Sequence, residues 1–203
     1  MLIRHTVAAA CLALSSLAAH ADLTTLSAPW PPSGSSGLDG VLFNEVNANG
    51  VMVALGAHAY KNSASMANDG TSVFYGQSGL YAPDGKGYAN WSFDFAWNLG
   101  NCAGCQVILS ADSDPSSAVN LISSNVTALG NAYADSWNLE MSFIPFTFDA
   151  FDPSSTQFEL KVLNAAGALL AQTDITVDIP EPATLALVGL ALGGLGLARR
   201  RKS

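Results

Sequence analysis

The first residues in this sequence that could do chemistry are two cysteines separated by two residues, Cys102-Ala-Gly-Cys105. That spacing serves thiol–disulfide exchange when the first thiol sits at a helix N-terminus or beside a cation, which lowers its pKa. Neither condition is met by the flanking residues. The pair follows one strand-like segment and precedes another, Gln106-Val-Ile-Leu109, with no base close in sequence. Covalent haem attachment needs a histidine after the second cysteine, and Gln106 stands there. Zinc needs two further ligands, and His58 is the only histidine after His20. The expectation is a structural disulfide that pins a turn. Closing a loop this short is worth about 2 kcal/mol on the chain-entropy estimate.

Carboxylates supply the second candidate. Asp112-Ser-Asp-Pro-Ser116 resembles the opening of a calcium loop, in which alternate oxygen ligands suit a hard cation. The EF-hand pattern then stops, because no glycine follows in register and Ser123 stands where a glutamate would close the loop. Asp152-Pro153 supplies a further carboxylate from elsewhere in the chain. The competing reading is an Asx/Pro turn capping a strand. Beyond a structural calcium ion at Asp112 and Asp114, no cofactor is implied. Catalytic patterns are poor: Gly76-Gln-Ser-Gly79 is not a nucleophile elbow. His58, at an apolar strand end, reads as structural. Glu45, Glu140 and Glu159 carry no mark of the paired carboxylates that glycoside hydrolysis needs. The expectation is a protein that is not an enzyme.

The elements that position these residues read as strands. Val41, Phe43 and Glu45 alternate towards Asn49-Gly50, and Val51, Val53 and Leu55 alternate away from it, a strong hairpin signal. Tyr60–Gly70 is polar and reads as a loop. Trp91, Phe93, Phe95 and Trp97 alternate with Ser92, Asp94 and Ala96, so period two puts the four aromatics on one face, as a core stripe. Gln106–Ala111 follows as a strand, then Trp137–Phe148 with alternating apolar positions, then Phe158, Leu160 and Val162. Asn164–Gly167 reads as a turn and Leu169–Ile179 as the last strand. The fold class is mainly β, an antiparallel β-sandwich of jelly-roll or Ig-like type.

Charge is partitioned along the chain. All sixteen acids lie between Asp22 and Glu181, against three lysines and no arginine in that span. Such a surface repels phosphate backbones, which excludes nucleic acid as a partner. At the N-terminus, Arg4 and His5 precede an apolar run, Thr6–Ala18, too short to span a bilayer. Ala19-His20-Ala21 then fits a signal peptidase site, with Asp22 as the first mature residue. Cleavage removes Cys11 and leaves Cys102 and Cys105 as an even pair in an oxidising compartment. The expected organisation is a signal helix over 1–21, an irregular Pro/Ser/Gly-rich lead-in over 22–40, the β domain over 41–179 and a terminal segment over 180–203.

That terminal segment has three parts: Pro180-Glu181-Pro182, the uncharged run Ala183–Ala198, and the basic cap Arg199-Arg200-Arg201-Lys202. The prolines stop regular structure. The run spans roughly 24 Å as a helix, short of a ~30 Å hydrocarbon core, and the basic cap stays cytoplasmic. The combination closely resembles the PEP-CTERM sorting signal. This resemblance implies recognition by an exosortase, processing near Pro180–Pro182, and Gram-negative hosts that make exopolysaccharide and biofilm. An uncut single-span anchor is the alternative, with Gly189 and Gly193 as a helix-packing face. Met52-Val-Ala-Leu-Gly-Ala-His58, Asp112-Ser-Asp-Pro115, Trp137-Asn-Leu139 and Phe151-Asp-Pro153 further resemble small uncharacterised domains carried by such proteins, which implies no activity.

Three functions follow as expectations. The first is a non-catalytic surface or matrix protein, passing through the inner membrane by its C-terminal segment to the cell surface or extracellular matrix and associating with exopolysaccharide. The second is a carbohydrate-binding module with Trp30, Tyr81, Tyr88 or Trp137 as stacking platforms. The third is a secreted hydrolase, which needs a concave pocket with convergent carboxylates.

Overall fold

The computed structural model describes residues 22–26, 38–61 and 66–181. The expected signal helix and apolar C-terminal helix lie outside these residues, as do Ala21, Pro182, Arg199, Arg200, Arg201 and most of the lead-in. Ten strands run through the described part: β1 Phe43–Ala48, β2 Val51–Ala59, β3 Ala67–Asn68, β4 Val73–Tyr75, β5 Trp91–Asn98, β6 Gln106–Asp112, β7 Leu121–Asn125, β8 Ala132–Trp137, β9 Ser154–Leu163 and β10 Leu169–Ile179. They form two sheets, one of four strands in the order β1-β2-β5-β8 and one of six in the order β3-β4-β10-β9-β6-β7. The helical content among the described residues is two single 3-10 turns, Ala82–Asp84 and Thr127–Leu129.

Local sequence explains much of this. The β1–β2 hairpin turns at Asn49 and Gly50, with φ of 52° and 77°. Asparagine and glycine tolerate those positive values, and the resulting twist matches the flanking strands. Along β5, Trp91, Phe93, Phe95 and Trp97 are all buried in the main core, while Asp94 and Ala96 occupy the opposite face. Phe93 stacks on Phe158 of β9 with centroids 4.3 Å apart, so the two sheets meet through aromatic rings. Strand β9 alternates strictly between buried and half-buried residues, which fits a sheet with one face on the core.

The outer face of the four-stranded sheet is covered in part by its own chain. Ala54, Ala96 and Ala134 sit side by side on β2, β5 and β8. Leu38, Val41 and Phe43 pack with them as a second apolar cluster. Small side chains let that segment lie close, and at Gly56 any Cβ would collide with the Leu42 carbonyl. Side chains of β1 and β10 join the sheets at one edge: Asn44 Nδ2 donates to the Asp174 carbonyl (2.9 Å), and Thr173 Oγ1 donates to the Asn44 carbonyl (2.9 Å).

Three expectations need amendment. The pairing is not wholly antiparallel, because β4 runs parallel to β10 over Val73–Tyr75. The polar stretch Tyr60–Gly70 contains the two-residue strand β3, paired with β4. The region Trp137–Phe148 is not a strand beyond Trp137: β8 ends there and an irregular segment leads to β9. Asn138 braces the start of that segment: its buried side chain donates to the Ala89 and Trp91 carbonyls and accepts from the Ala89 and Glu140 N–H groups. One side chain thus satisfies four buried backbone groups and ties the segment after β8 to the residues at the start of β5.

Candidate functional site

The end of β10 is where the folded domain meets the terminal segment. Asp178 is still inside the sheet. Its carbonyl accepts from Gly76 N–H (2.9 Å), and its Oδ1 accepts from Ser155 Oγ (2.7 Å). Ile179 is buried and opposes Ser154 in register. Pro180 and Glu181 follow at once, both exposed. Gly76 allows this close fit, since a Cβ there would come within 2.5 Å of Ile179 Cδ1. Tyr75, Pro115 and Pro153 flank the exit in a shallow groove with Pro180. Pro180 and Glu181 therefore leave the sheet with no spacer before them.

Asp112, at the C-terminal end of β6, adjoins this exit. Its Oδ1 accepts from the N–H groups of Asp114 (3.0 Å) and Asn120 (2.8 Å), which closes the β6–β7 turn. The Asp114 carboxylate turns the other way. Ser116 donates to it through both hydroxyl and N–H, holding its carboxyl below the usual carboxylate range. The two aspartates thus act as successive Asx turns rather than converging on one centre. Asp112 lines a cavity of about 150 Å³ with Phe146, Phe148, Asp149, Asp152 and Ser154. Asp152, noted above only as a carboxylate from elsewhere, is brought to that rim.

Cys102 and Cys105 stand at disulfide-bonding distance, Cα atoms 5.7 Å apart, in the turn between β5 and β6. The Cys102 N–H donates to the Leu99 carbonyl, and Gly100, at φ 55°, lies against the Gly50 carbonyl of the β1–β2 turn. Its left-handed conformation and lack of Cβ let the two turns touch.

His58 is paired with a buried carboxylate, which its own sequence neighbourhood does not announce. Its Nδ1 lies 2.8 Å from both oxygens of Asp94, across the β2–β5 ladder. Burial pushes the Asp94 carboxyl up, and the His58 hydrogen bond opposes that shift. The glutamates weighed above as acid–base candidates are tied elsewhere: Glu45 accepts from Asn47, and Glu159 from Lys161 and Gln172. Burial, followed by repulsion from Asp149, raises the Glu140 carboxyl against the hydrogen bond from Ala150 N–H.

The proposed stacking aromatics do not make a flat row. Tyr81 and Tyr88 meet Tyr60 edge-on, at 81° and 86°, and Tyr60 Oη donates to Asp84. Trp137 is half-buried and meets Phe95 and Phe143 edge-on. Trp30 lies outside the described residues. Among the described residues no helix is long and apolar enough to cross a membrane.

Neither a curated protein nor a solved structure matches the chain. One family does match, over residues 178–202, and its first two residues are the last two of β10. That match is to the PEP-CTERM protein-sorting motif, so the chain carries the sorting motif of an exosortase-sorted exported protein at its C-terminal end.

Proposed function

We propose that this protein is a non-catalytic component of the cell surface or extracellular matrix of a Gram-negative bacterium, delivered by exosortase and associated there with exopolysaccharide. Signal peptidase and exosortase are its processing partners, and the C-terminal segment holds it in the inner membrane until the second cut. The domain is read as an antiparallel sandwich with one parallel edge pairing, serving as a compact body for display. The observation that carries this reading is the sorting motif, which starts inside the last strand and continues through Pro180 and Glu181. Support for a non-catalytic role comes from Glu45 and Glu159, each tied to its own partner. The edge-on tyrosines favour this reading over a carbohydrate-binding module built on a coplanar aromatic platform.

Mass spectrometry of the mature protein tests the processing. The expected C-terminus lies at or near Pro180–Pro182 in cells with active exosortase, and the longer form accumulates in the membrane without it. An exported protein that keeps Arg199–Lys202 overturns the reading. Binding of the purified protein to the host's own exopolysaccharide tests the destination, and release of all protein into the medium as free monomer refutes it.

A further inference from the structure

Two buried polar atoms without a hydrogen-bond partner, Asp112 Oδ2 and Ser154 Oγ, belong to residues that line the same cavity. Asp112 is 3% exposed and Ser154 7%, so neither atom is satisfied by bulk solvent. A buried carboxylate oxygen without a partner is costly, and proteins relieve that cost with a donor, a bound water or a cation. The cavity between the β6–β7 turn and residues 146–156 favours the cation. Asp112, Asp149 and Asp152 bring three carboxylates to it, and no lysine, arginine or histidine lines it. Lys161, the one described lysine with an ion pair, is engaged with Glu159.

We propose that this cavity is a calcium site in which Asp112 Oδ2 and Ser154 Oγ are the fixed ligands and Asp149 and Asp152 close over the ion from the rim. The donor set is oxygen only, which suits a hard cation and not zinc or copper. Calcium accepts six to eight oxygens in irregular geometry, with water completing the shell, whereas magnesium demands a regular octahedron. The carboxylates are not preassembled: among the described residues no three His, Cys, Asp or Glu groups stand together at metal-binding separation. Binding must therefore draw Asp149 and Asp152 inward. Asp149 Oδ1 already accepts from the Phe151 N–H, and the Asp152 N–H donates to the Asp149 carbonyl, so both rim residues belong to one short turn. This ligand set differs from the Asp112–Asp114 pair that the sequence offers, because Asp114 turns towards Ser116.

The position gives the ion a structural task. Ser155, next to the proposed ligand Ser154, donates through its hydroxyl to Asp178 and through its N–H to the Pro115 carbonyl. An ion held by Asp112 and Ser154 would tie the β6–β7 turn to the first residue of β9, and through Ser155 to the strand that enters the sorting motif. Extracellular calcium modules bind at about 0.1 to 1 mM, a range that an exported protein meets outside the cell.

The test uses the full chain in detergent, stripped with EDTA and dialysed free of it. Titration calorimetry with calcium chloride alone is expected to give one site with a Kd of about 0.1 to 1 mM. Calcium at a hundred times Kd should favour the folded form about 100-fold, with a smaller effect from magnesium. Asp112→Asn keeps the Oδ1 acceptor of the turn and should weaken calcium binding at least tenfold. The double variant Asp149→Asn, Asp152→Asn changes exposed residues only and should do the same, which guards against a misfolded Asp112 variant. Asp114→Asn should bind as the parent does. No heat and no shift in melting temperature with calcium would overturn the proposal. So would parental affinity in the rim double variant, or an Asp112→Asn protein that is more stable than the parent at every calcium concentration, which is the result for a cavity that holds only water.

Discussion

Asn138 is the residue whose removal should expose how this fold is held. It is fully buried. Its Nδ2 donates to the carbonyls of Trp91 (2.7 Å) and Ala89 (3.0 Å), and its Oδ1 accepts from Ala89 N–H (3.1 Å) and Glu140 N–H (3.2 Å). Asn138→Ala deletes these four bonds and a longer one to Ser92 Oγ (3.4 Å) at once, and strands backbone groups away from water. A net worth of about 1 kcal/mol per bond, raised where a buried group is left unpaired, gives a loss of about 3–5 kcal/mol. Asn138→Asp keeps the size and the acceptor but removes the donors and buries a charge, so it should be at least as damaging. Urea unfolding followed by tryptophan fluorescence measures this as a fall in midpoint at constant slope. A loss below about 1 kcal/mol in Asn138→Ala would refute the reasoning, because it would mean the irregular segment after β8 is braced by something else.

Three further outcomes are expected. Replacing His58 by alanine leaves Asp94 buried without its partner and should cost about 3–5 kcal/mol near neutral pH. Asp94 has a folded pKa raised above its unfolded value, so its protonated form favours folding. The stability of the His58→Ala variant should therefore fall as pH rises above the ordinary carboxylate range, and adding Asp94→Asn should flatten that slope in urea melts across pH. At Asp69, the N–H of Val73 and then that of Thr71 lead the hydrogen bonds that hold the carboxyl well below its usual range. That contribution is present above the unfolded pKa and lost as pH falls towards the folded one. An NMR titration should find the Asp69 carboxyl still ionised when exposed carboxylates have protonated, and a normal titration would reject it. Reducing the Cys102–Cys105 pair should cost only about 2 kcal/mol and leave the domain folded; complete unfolding in reductant alone would contradict a turn-pinning role.

The parts of this fold legible in sequence are those set by local alternation and turn chemistry. The aromatic stripe of β5, the Asn49-Gly50 turn and the limits of β10 follow from period two and from residues that accept positive φ. Pairings between distant segments were not legible. Strand β4 joins β10 in parallel across a hundred residues, and β7 is mostly exposed, so neither carries a clear apolar pattern. The apolar residues after Trp137 mimic a strand, yet Asn138 turns its side chain to the Ala89 and Trp91 backbone and Pro145 lacks a donor, so β8 ends at Trp137. The His58–Asp94 pair is similar: 36 residues separate its members, and each reads alone as a polar residue in an apolar strand. At the candidate site, the local pattern showed Asp112 and Asp114, and the surroundings of Asp112 come from residues distant in sequence. Asp114 is held locally in an Asx turn with Ser116, while the adjacent strand β9 brings Ser154, and the turn before it Asp149 and Asp152, to the Asp112 cavity.

The direct run of β10 into Pro180 also fixes how a tethered molecule would carry mechanical load. Strand β10 lies inside the six-stranded sheet, matched to β9 over ten register pairs and to β4 on its other side. Tension drawn through the C-terminal attachment acts along the strand axis, at right angles to those ladder bonds. The bonds then resist together in shear instead of peeling apart one after another.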